Sequence, residues 1–203
     1  MLASLEEAGE WVEKRWGLSL ELEDLPLDDP QVYKLLRSSH TVGVFQLESP
    51  GMRELLSRLK PTCFSDVVAN LSLFRPGPVQ ADMVSPFVRR RQGKERVTYL
   101  DPKLKAILEE TYGVPLFQEQ IMRILSHFGG VSLAQADSWR RALDRNQPQE
   151  IKRVRREFLK AAQRKGYPQP KAGRIFDELV LVMAAYGFCK SHAASFAEIA
   201  YRS

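Results

Sequence analysis

The chain has 203 residues, of which 44% are hydrophobic and 27% charged, and it carries a net charge of +5. This composition is typical of a globular protein long enough to bury its own core, and it excludes a disordered tail. With no apolar run of about 18 residues, no signal-peptide pattern and only two cysteines, Cys63 and Cys189, without metal-ligand spacing, we expect a cytoplasmic protein with no membrane span.

The predicted elements are mostly helices, and their caps and apolar spacing indicate about eight or nine of them. Four helices open on a side chain that can accept hydrogen bonds from first-turn N–H groups. These openings are Asp29-Pro30, Ser49-Pro50, Asp101-Pro102, and Ser132 with Gln135 at the spacing of a capping box. The last predicted helix follows "FCKS" at residues 188–191.

Strand signals are few. The best candidate is "TVGVFQLE" at residues 41–48, where β-branched and aromatic residues stand beside a glycine, and "ERVTYL" at residues 95–100 is weaker. We therefore predict a mainly α fold, an irregular multi-helix domain with at most one or two short strands. The sequence contains no P-loop, no GxSxG elbow and no clustered carboxylates of the kind that a two-metal centre needs.

The segment "WRRALDR" is the first candidate for anion binding. Arg140 and Arg141 are adjacent, and Arg145 lies one helical turn beyond Arg141, so two or three guanidinium groups can converge on one polyanion. The alternative is that these arginines form a solvated face or pair with Asp137 and Asp144. Their spacing alone favours that alternative.

The segment "GFCKSHAASFA" places Lys190 and His192 in the first turn of the last helix. The N–H groups at a helix N-terminus favour anions, and a lysine there is electrostatically awkward unless an anion is bound. His192 can donate to a phosphate or protonate a leaving group. The alternative is a surface histidine and a lysine that extends into solvent.

Other polar and basic residues have two interpretations each. Arg75 precedes a rigid Pro-Gly-Pro and is either structural or directed at phosphate. Gln118 and Gln120 flank Glu119 in an apolar setting, which favours hydrogen bonding within the fold. The mild positive charge permits a nucleic-acid partner, for which two solvated clusters are candidates. The first cluster is Arg89, Arg90, Arg91 and Lys94, and the second is Lys152, Arg153, Arg155 and Arg156.

Five motifs in a fixed order carry a resemblance to a known family. They are "GVFQLESPGM", "LFRPGP", "TYGVPLFQEQIM", "ADSWRRAL" and "YGFCKSHAASFA". Over residues 24–203 the chain resembles the C-family of bacterial DNA polymerases, the alpha subunits of DNA polymerase III. The resemblance implies the end of the palm and its connection in residues 1–40 and a fingers domain, cut short at its C-terminus, in residues 41–203. Some motifs are similar to the error-prone branch of the family and "CKSH" to the replicative branch.

The resemblance also implies roles for particular residues. By this comparison Arg140, Arg141, Lys190 and His192 would bind the triphosphate of the incoming deoxynucleotide, and Arg75 would lie near the nucleotide or template. Arg145 and Arg153 are basic neighbours of this group, and Arg145 is a further candidate for contact with nucleotide or template. Independently of the resemblance, the clustered charge of Arg89, Arg90, Arg91 and Lys94 makes them candidates for contact with the DNA backbone. No catalytic residue and no metal ligand is expected in this chain, because the family's carboxylates, which hold Mg²⁺, belong to palm segments upstream of it.

The expected partners are therefore a DNA primer–template and a deoxynucleoside triphosphate, with the sliding clamp and other replisome subunits in the longer protein, and no membrane. We expect this piece alone to be catalytically inactive. Two alternatives from other classes are a stand-alone basic helical module that binds nucleic acid, and a folded fragment that is silent without the palm.

Overall fold

The computed structural model describes residues 2–19 and 21–203, with residues 2, 23 and 185 described by their backbone only. Its helices in chain order are α1 (Leu2–Trp16), α2 (Pro30–Ser38), α3 (Pro50–Leu59), α4 (Phe64–Leu73), α5 (Pro76–Gln80), α6 (Val84–Arg91), α7 (Lys105–Leu108), α8 (Gln118–Gly129), α9 (Leu133–Asp144), α10 (Pro148–Arg164), α11 (Gln169–Ile175), α12 (Leu181–Tyr186) and α13 (Lys190–Arg202). Short 3₁₀ turns cover Leu22–Asp24, Pro102–Leu104 and Glu109–Thr111, and a π-helical turn, Phe176–Val180, joins α11 to α12.

The described residues contain no β-strand or sheet, only one isolated parallel bridge between Phe117 and Phe188. The prediction of a mainly α fold is confirmed. The number of helical segments exceeds the prediction, because several predicted loops contain short helices of one or two turns, such as α5 in the segment after Arg75.

The predicted caps are in place. The side chains of Asp29, Ser49 and Ser132 accept from backbone N–H groups two or three residues later, at 2.8, 3.4 and 3.2 Å. Asp101 likewise accepts from the Lys103 N–H at 2.9 Å, but the turn that it opens is 3₁₀ before the chain continues into α7. These local signals are reliable because each cap is satisfied within one turn of its own residue.

The prediction of a strand at residues 41–48 is wrong. This segment forms consecutive turns, in which the N–H groups of Val44 and Leu47 donate to carbonyls three residues back, at 3.1 Å each. The buried Thr41 hydroxyl donates to the Leu47 carbonyl at 2.5 Å, and Gly43 adopts a φ of +88°. Backbone groups used inside a turn cannot pair with a neighbouring strand. Residues 95–100 are irregular as well, which corrects the weaker strand prediction.

The described chain divides into two compact units. The first contains the chain up to Phe74 together with Ser191–Ser203, and the second contains Arg75–Lys190. The boundary at residue 40 between a palm end and a fingers domain rests on the family resemblance and stays a prediction.

In the first unit, α2, α3 and α4 pack with α13. The buried side chains of these four helices include Leu36, Leu56, Val67 and Ala197. The rings of Tyr33 and Tyr201 lie 5.6 Å apart, and the Asp29 N–H donates to the Tyr201 hydroxyl oxygen at 2.8 Å. These contacts fix α13 to the start of α2, although 172 positions separate Asp29 from Tyr201.

The second unit is built on the helical hairpin of α8 and α9, against which α10 and α12 pack, while α11 packs against α10. Its core contains Phe128 of α8, Trp139 of α9, Phe158 of α10 and Phe176 of the π-helical turn, all nearly inaccessible to solvent. The Trp139 indole N–H donates to Glu157 at 3.1 Å and so ties α9 to α10. This packing holds the polar faces of α9 and α10, which carry several of the predicted basic residues, in defined directions.

Candidate functional site

The arginine pair on α9 is held by a shared carboxylate. Arg140 donates to Asp137 through Nε and Nη2 at 3.0 and 2.8 Å, and Arg141 approaches the other oxygen of Asp137 to 2.8 Å. Arg140 also pairs with Asp144 at 2.5 Å. The side chain of Arg140 is 13% exposed, whereas that of Arg141 is 66% exposed. The ion pairs that the sequence offered as an alternative are therefore present, and they leave Arg141 facing solvent.

The pKa of Asp144 is shifted although its side chain is 37% exposed. Partial burial raises the pKa of Asp144; Arg140 opposes that effect and Asp137 adds to it. Arg145 follows the end of α9, is exposed, and makes no ion pair within the described part of the chain. Arg145 thus differs from Arg140, whose guanidinium is bound on two sides.

Lys190 lies at the start of α13 with two acidic partners. Its backbone N–H donates to both carboxylate oxygens of Glu119, at 3.1 Å each, and its ammonium pairs with Glu110 at 2.6 Å. The ammonium also lies 5.5 Å from the centroid of the Phe117 ring. The anion expected at this helix N-terminus is therefore the Glu119 carboxylate, a partner 71 positions away that no local sequence pattern indicates.

Arg75 lies close to Lys190 in the second unit. Its guanidinium stacks 4.4 Å above the Phe188 ring, one nitrogen approaches the Tyr186 carbonyl at 3.5 Å, and burial lowers its pKa. Phe117, whose ring lies 5.5 Å from the Lys190 ammonium, pairs through its backbone with Phe188, on which Arg75 stacks. The structure therefore brings these two predicted site residues together.

Gln118 and Gln120 make hydrogen bonds around the bridge between Phe117 and Phe188. The buried side-chain oxygen of Gln120 accepts from the N–H groups of Leu116 and Phe117, at 2.9 Å each, and its amide donates to the Ile107 carbonyl and the Thr111 hydroxyl. Gln118 donates to the Gly187 carbonyl at 3.3 Å. The expectation that both glutamines hydrogen-bond within the fold is confirmed.

The hairpin connects this region with the arginine pair. Only three residues, 130–132, join α8 to α9, so the two helices run antiparallel. The second half of α9, with Arg140 and Arg141, therefore lies beside the first half of α8, which begins with Gln118 and Glu119. Arg140 and Arg141 thus lie at the same end of the hairpin as Glu119, which accepts from the Lys190 N–H.

His192 belongs to the first unit, where its ring lies 4.2 Å from that of Phe196 on the next turn of α13. Its convergence with Arg140, Arg141 and Lys190 on one triphosphate stays a prediction.

The basic cluster on α6 is partly neutralised. Arg89 and Arg90 donate to the two oxygens of Glu95 at 2.8 and 2.7 Å, which lowers the pKa of that carboxyl. Arg90 also donates to the Tyr112 carbonyl at 3.3 Å, while Arg91 is partly buried and Lys94 is exposed. Contact of this cluster with DNA stays a prediction.

Across the described residues, no three acidic, histidine or cysteine side chains come together in a group suited to a metal ion. None of the described helices is both long enough and apolar enough to cross a bilayer.

Comparison with known proteins identifies the family. Residues 1–166 match the family model of the bacterial DNA polymerase III alpha subunit finger domain. The chain is similar to the DNA polymerase III subunit alpha of Aquifex aeolicus, with 40% identity over 200 residues, which are 98% of this chain and 17% of that protein. The subunit of Pasteurella multocida is 46% identical over 189 residues, 91% of this chain and 16% of that protein.

The DNA polymerase III subunit alpha of Thermus aquaticus is 42% identical over 207 residues, which cover the whole of this chain and 17% of that protein. The chain thus spans about a sixth of the length of the curated relatives that it matches. With the finger-domain model matching most of its residues, the chain belongs to the bacterial DNA polymerase III alpha subunit finger-domain family.

Proposed function

We propose that this chain is the part of a DNA-directed DNA polymerase that binds the triphosphate of the incoming deoxynucleotide and helps to position the template during DNA replication. The observation that carries the proposal is the arginine pair on α9, in which one carboxylate, Asp137, orients two adjacent guanidinium groups and leaves Arg141 open to solvent. Membership of the finger-domain family supports it.

The two arginines take different parts in this proposal. Arg141 is the direct contact, because an exposed guanidinium offers paired donors that match two phosphate oxygens. Arg140, bound to both Asp137 and Asp144, is a positioning residue that fixes the carboxylate on which Arg141 rests. Donors held in place before the ligand arrives need little reorganisation, which favours stabilisation of charge on the transferring phosphates.

Lys190, His192 and Arg75 would complete the contacts to nucleotide or template. The ion pair between Lys190 and Glu110 is half-exposed on both sides, and such surface pairs contribute about 0–1 kcal/mol. A triphosphate with several negative charges therefore competes well with one carboxylate for this ammonium. Arg145, exposed at the end of α9, is the remaining candidate contact.

This chain's own residues would bind and orient, without supplying the metal centre. In the parent polymerase, Mg²⁺ held by carboxylates outside this chain would activate the attacking oxygen and neutralise phosphate charge. Among the described residues, no group of acidic, histidine or cysteine side chains is suited to hold this ion. The primer–template, the sliding clamp and other replisome subunits would be partners of the longer protein, and we expect no primer extension by this chain alone.

The test is a titration of the chain with Mg-dATP, followed by NMR shifts and calorimetry, for wild type and Arg141→Gln. Loss of one charge-assisted contact of about 1.5–3 kcal/mol should weaken binding by roughly 10- to 150-fold. Arg174→Gln is the matched control, since Arg174 is 64% exposed and also pairs with a carboxylate one turn away, Glu178. It should leave the affinity unchanged.

Equal losses for both variants, or no saturable binding by the wild-type chain, would contradict the proposal. The alternative of a stand-alone nucleic-acid module predicts binding to DNA that falls steeply with salt and is indifferent to nucleotide.

A further inference from the structure

The basic residues of α10 fall into two sets. Arg153 pairs with Glu150 at 2.8 Å and Glu157 at 3.1 Å, and Arg155 forms two 2.8 Å hydrogen bonds to Asp177. A second set is exposed and has no ion pair with any described residue. This set, named the α10 stripe, is Lys152, Arg156, Lys160 and Arg164.

The α10 stripe has a regular geometry. Its members are spaced four residues apart, so each lies one turn after the last and the row drifts by about 40° per step around the helix. At 1.5 Å per residue, neighbouring members are about 6 Å apart along the axis and the whole stripe is about 18 Å long. The paired arginines of α10 lie at other positions of the helix, so the uncompensated charge is confined to this line.

An open cleft of about 440 Å³ lies beside the stripe. It is lined by three stripe residues, by Arg155 and Leu159, and by the amides of Gln163 and Gln169. Among these residues there is no carboxylate and no aromatic ring. A second shallow cleft, lined by Lys160, Gln163 and Arg164, continues along the stripe toward the end of the helix.

We propose that the α10 stripe binds the backbone phosphates of duplex DNA without regard to base sequence. The surface would be a DNA contact additional to the residues assigned to nucleotide and template. The proposal rests on the proposed function only in taking DNA as the polyanion, and its geometry is independent of the arginine pair on α9.

The composition of the cleft distinguishes between possible partners. Protein interfaces are enriched in aromatic residues, methionine and arginine and depleted of lysine, whereas this cleft has two lysines and no aromatic residue beside its two arginines. Single-stranded nucleic acid is usually held by bases stacked on aromatic side chains, and the cleft has none. A duplex needs only cations and amide donors along its phosphates, and an 18 Å line faces about five phosphates of one strand at 3.4 Å each.

The experiment measures binding of the 203-residue chain to a blunt 20-base-pair DNA duplex between 50 and 200 mM salt. Four phosphate contacts give a slope of log affinity against log salt of about −3.6. For Arg156→Gln/Lys160→Gln we expect the slope to become shallower by about 2, and the affinity at 50 mM to fall roughly a hundredfold. The charge-preserving variant Lys152→Arg/Lys160→Arg should bind within about threefold of wild type.

Lys34→Gln/Lys105→Gln is the matched control, since it removes the same charge from two exposed lysines outside the stripe. Equal losses for this control and the stripe variant would overturn the proposal, because binding would then be diffuse attraction. No duplex binding by the wild-type chain, or losses seen only with a single strand of the same length, would overturn it as well.

The two proposals can fail separately. The stripe variant should keep the wild-type affinity for Mg-dATP, whereas Arg141→Gln should lose nucleotide affinity and keep the duplex affinity. Circular dichroism and thermal unfolding of each variant check that the helix is intact, since all four stripe positions are exposed and glutamine is a good helix former.

Discussion

The neighbouring helices α9 and α10 both carry several arginines, but they differ in how many of their positive charges are paired with carboxylates. On α9 the arginine pair is bound by carboxylates of the same helix, Asp137 and Asp144, which are spaced three or four residues from it. On α10 the acidic residues Glu150 and Glu157 lie at the same spacing from Arg153, and the α10 stripe makes no ion pair with any residue that the structure describes. The positions of the carboxylates, more than the number of arginines, therefore decide where a helix exposes positive charge.

This contrast separates two uses of arginine. A guanidinium fixed by a carboxylate has a defined direction, which suits the recognition of a ligand with a defined shape. An unpaired, flexible cation suits a polymer of repeated phosphates, for which the exact position of each contact matters little. The following changes test the contrast in order of decreasing effect.

The largest effect should follow Asp137→Asn. The substitution removes the charge that accepts hydrogen bonds from both arginines, and Arg140 is almost buried. We expect the free energy of unfolding, measured in urea, to fall by about 1.5–3 kcal/mol. Affinity for Mg-dATP should fall with it, because Arg141 loses its anchor.

Asp177→Asn is the control for this change. Asp177 also accepts two hydrogen bonds from an arginine, Arg155, but both side chains are nearly half exposed. The loss should stay below about 1 kcal/mol. Similar losses for Asp137→Asn and Asp177→Asn would mean that the arginine pair is no more firmly held than a surface ion pair.

We expect an intermediate loss of stability from one arginine of α10, Arg153, and a smaller one from another, Arg156. Arg153→Gln breaks ion pairs with Glu150 and Glu157 and should destabilise the chain by roughly 0.5–1 kcal/mol. Arg156→Gln removes the same charge three residues later and should change stability by less than about 0.5 kcal/mol. The division of α10 into paired and unpaired cations would be wrong if urea unfolding showed the reverse order.

The smallest effect concerns the dependence of stability on pH. Hydrogen bonds from Arg153 lower the pKa of Glu150. The stability that this group contributes is present above its unfolded pKa, about 4.3, and is lost as the pH falls through the lower folded value. Glu150→Gln should therefore make the acid-side decline of stability shallower.

The contribution of Asp144 to the pH dependence of stability has the opposite sign to that of Glu150, because burial raises the pKa of Asp144. The folded state then binds the proton first, and the penalty for its charge is relieved as the pH falls. Asp144→Asn should make the acid-side decline steeper. Thermal unfolding between about pH 5 and pH 3 measures both slopes, and a change of the same sign in the two variants would contradict the assignment.

The sequence predicted those parts of the fold that depend on neighbouring residues. Asp29, Ser49 and Ser132 cap their helices as expected, since the groups that they satisfy lie within one turn. The segment 41–48 was assigned wrongly because strand-forming side chains say nothing about whether a partner strand exists. There, the bond from Thr41 to the Leu47 carbonyl closes a turn instead.

The candidate site was predictable to a similar degree. The ion pairs of Arg140 with Asp137 and Asp144 follow from helical spacing and were one of the two alternatives. The capping of Lys190 by Glu119 and the stacking of Arg75 on Phe188 depend on packing between residues 71 and 113 positions apart, for which a single sequence has no signal.

The Glu119 carboxylate at the start of α13 acts as an internal ligand of that helix end. An external anion that binds the Lys190 N–H must first displace both oxygens of this carboxylate. The measured binding free energy is then the difference between that of the external anion and that of the Glu119 carboxylate. A singly charged ion therefore gains little from the exchange. This helix end would discriminate by charge density, since only a ligand with several adjacent negative charges offers more than it displaces.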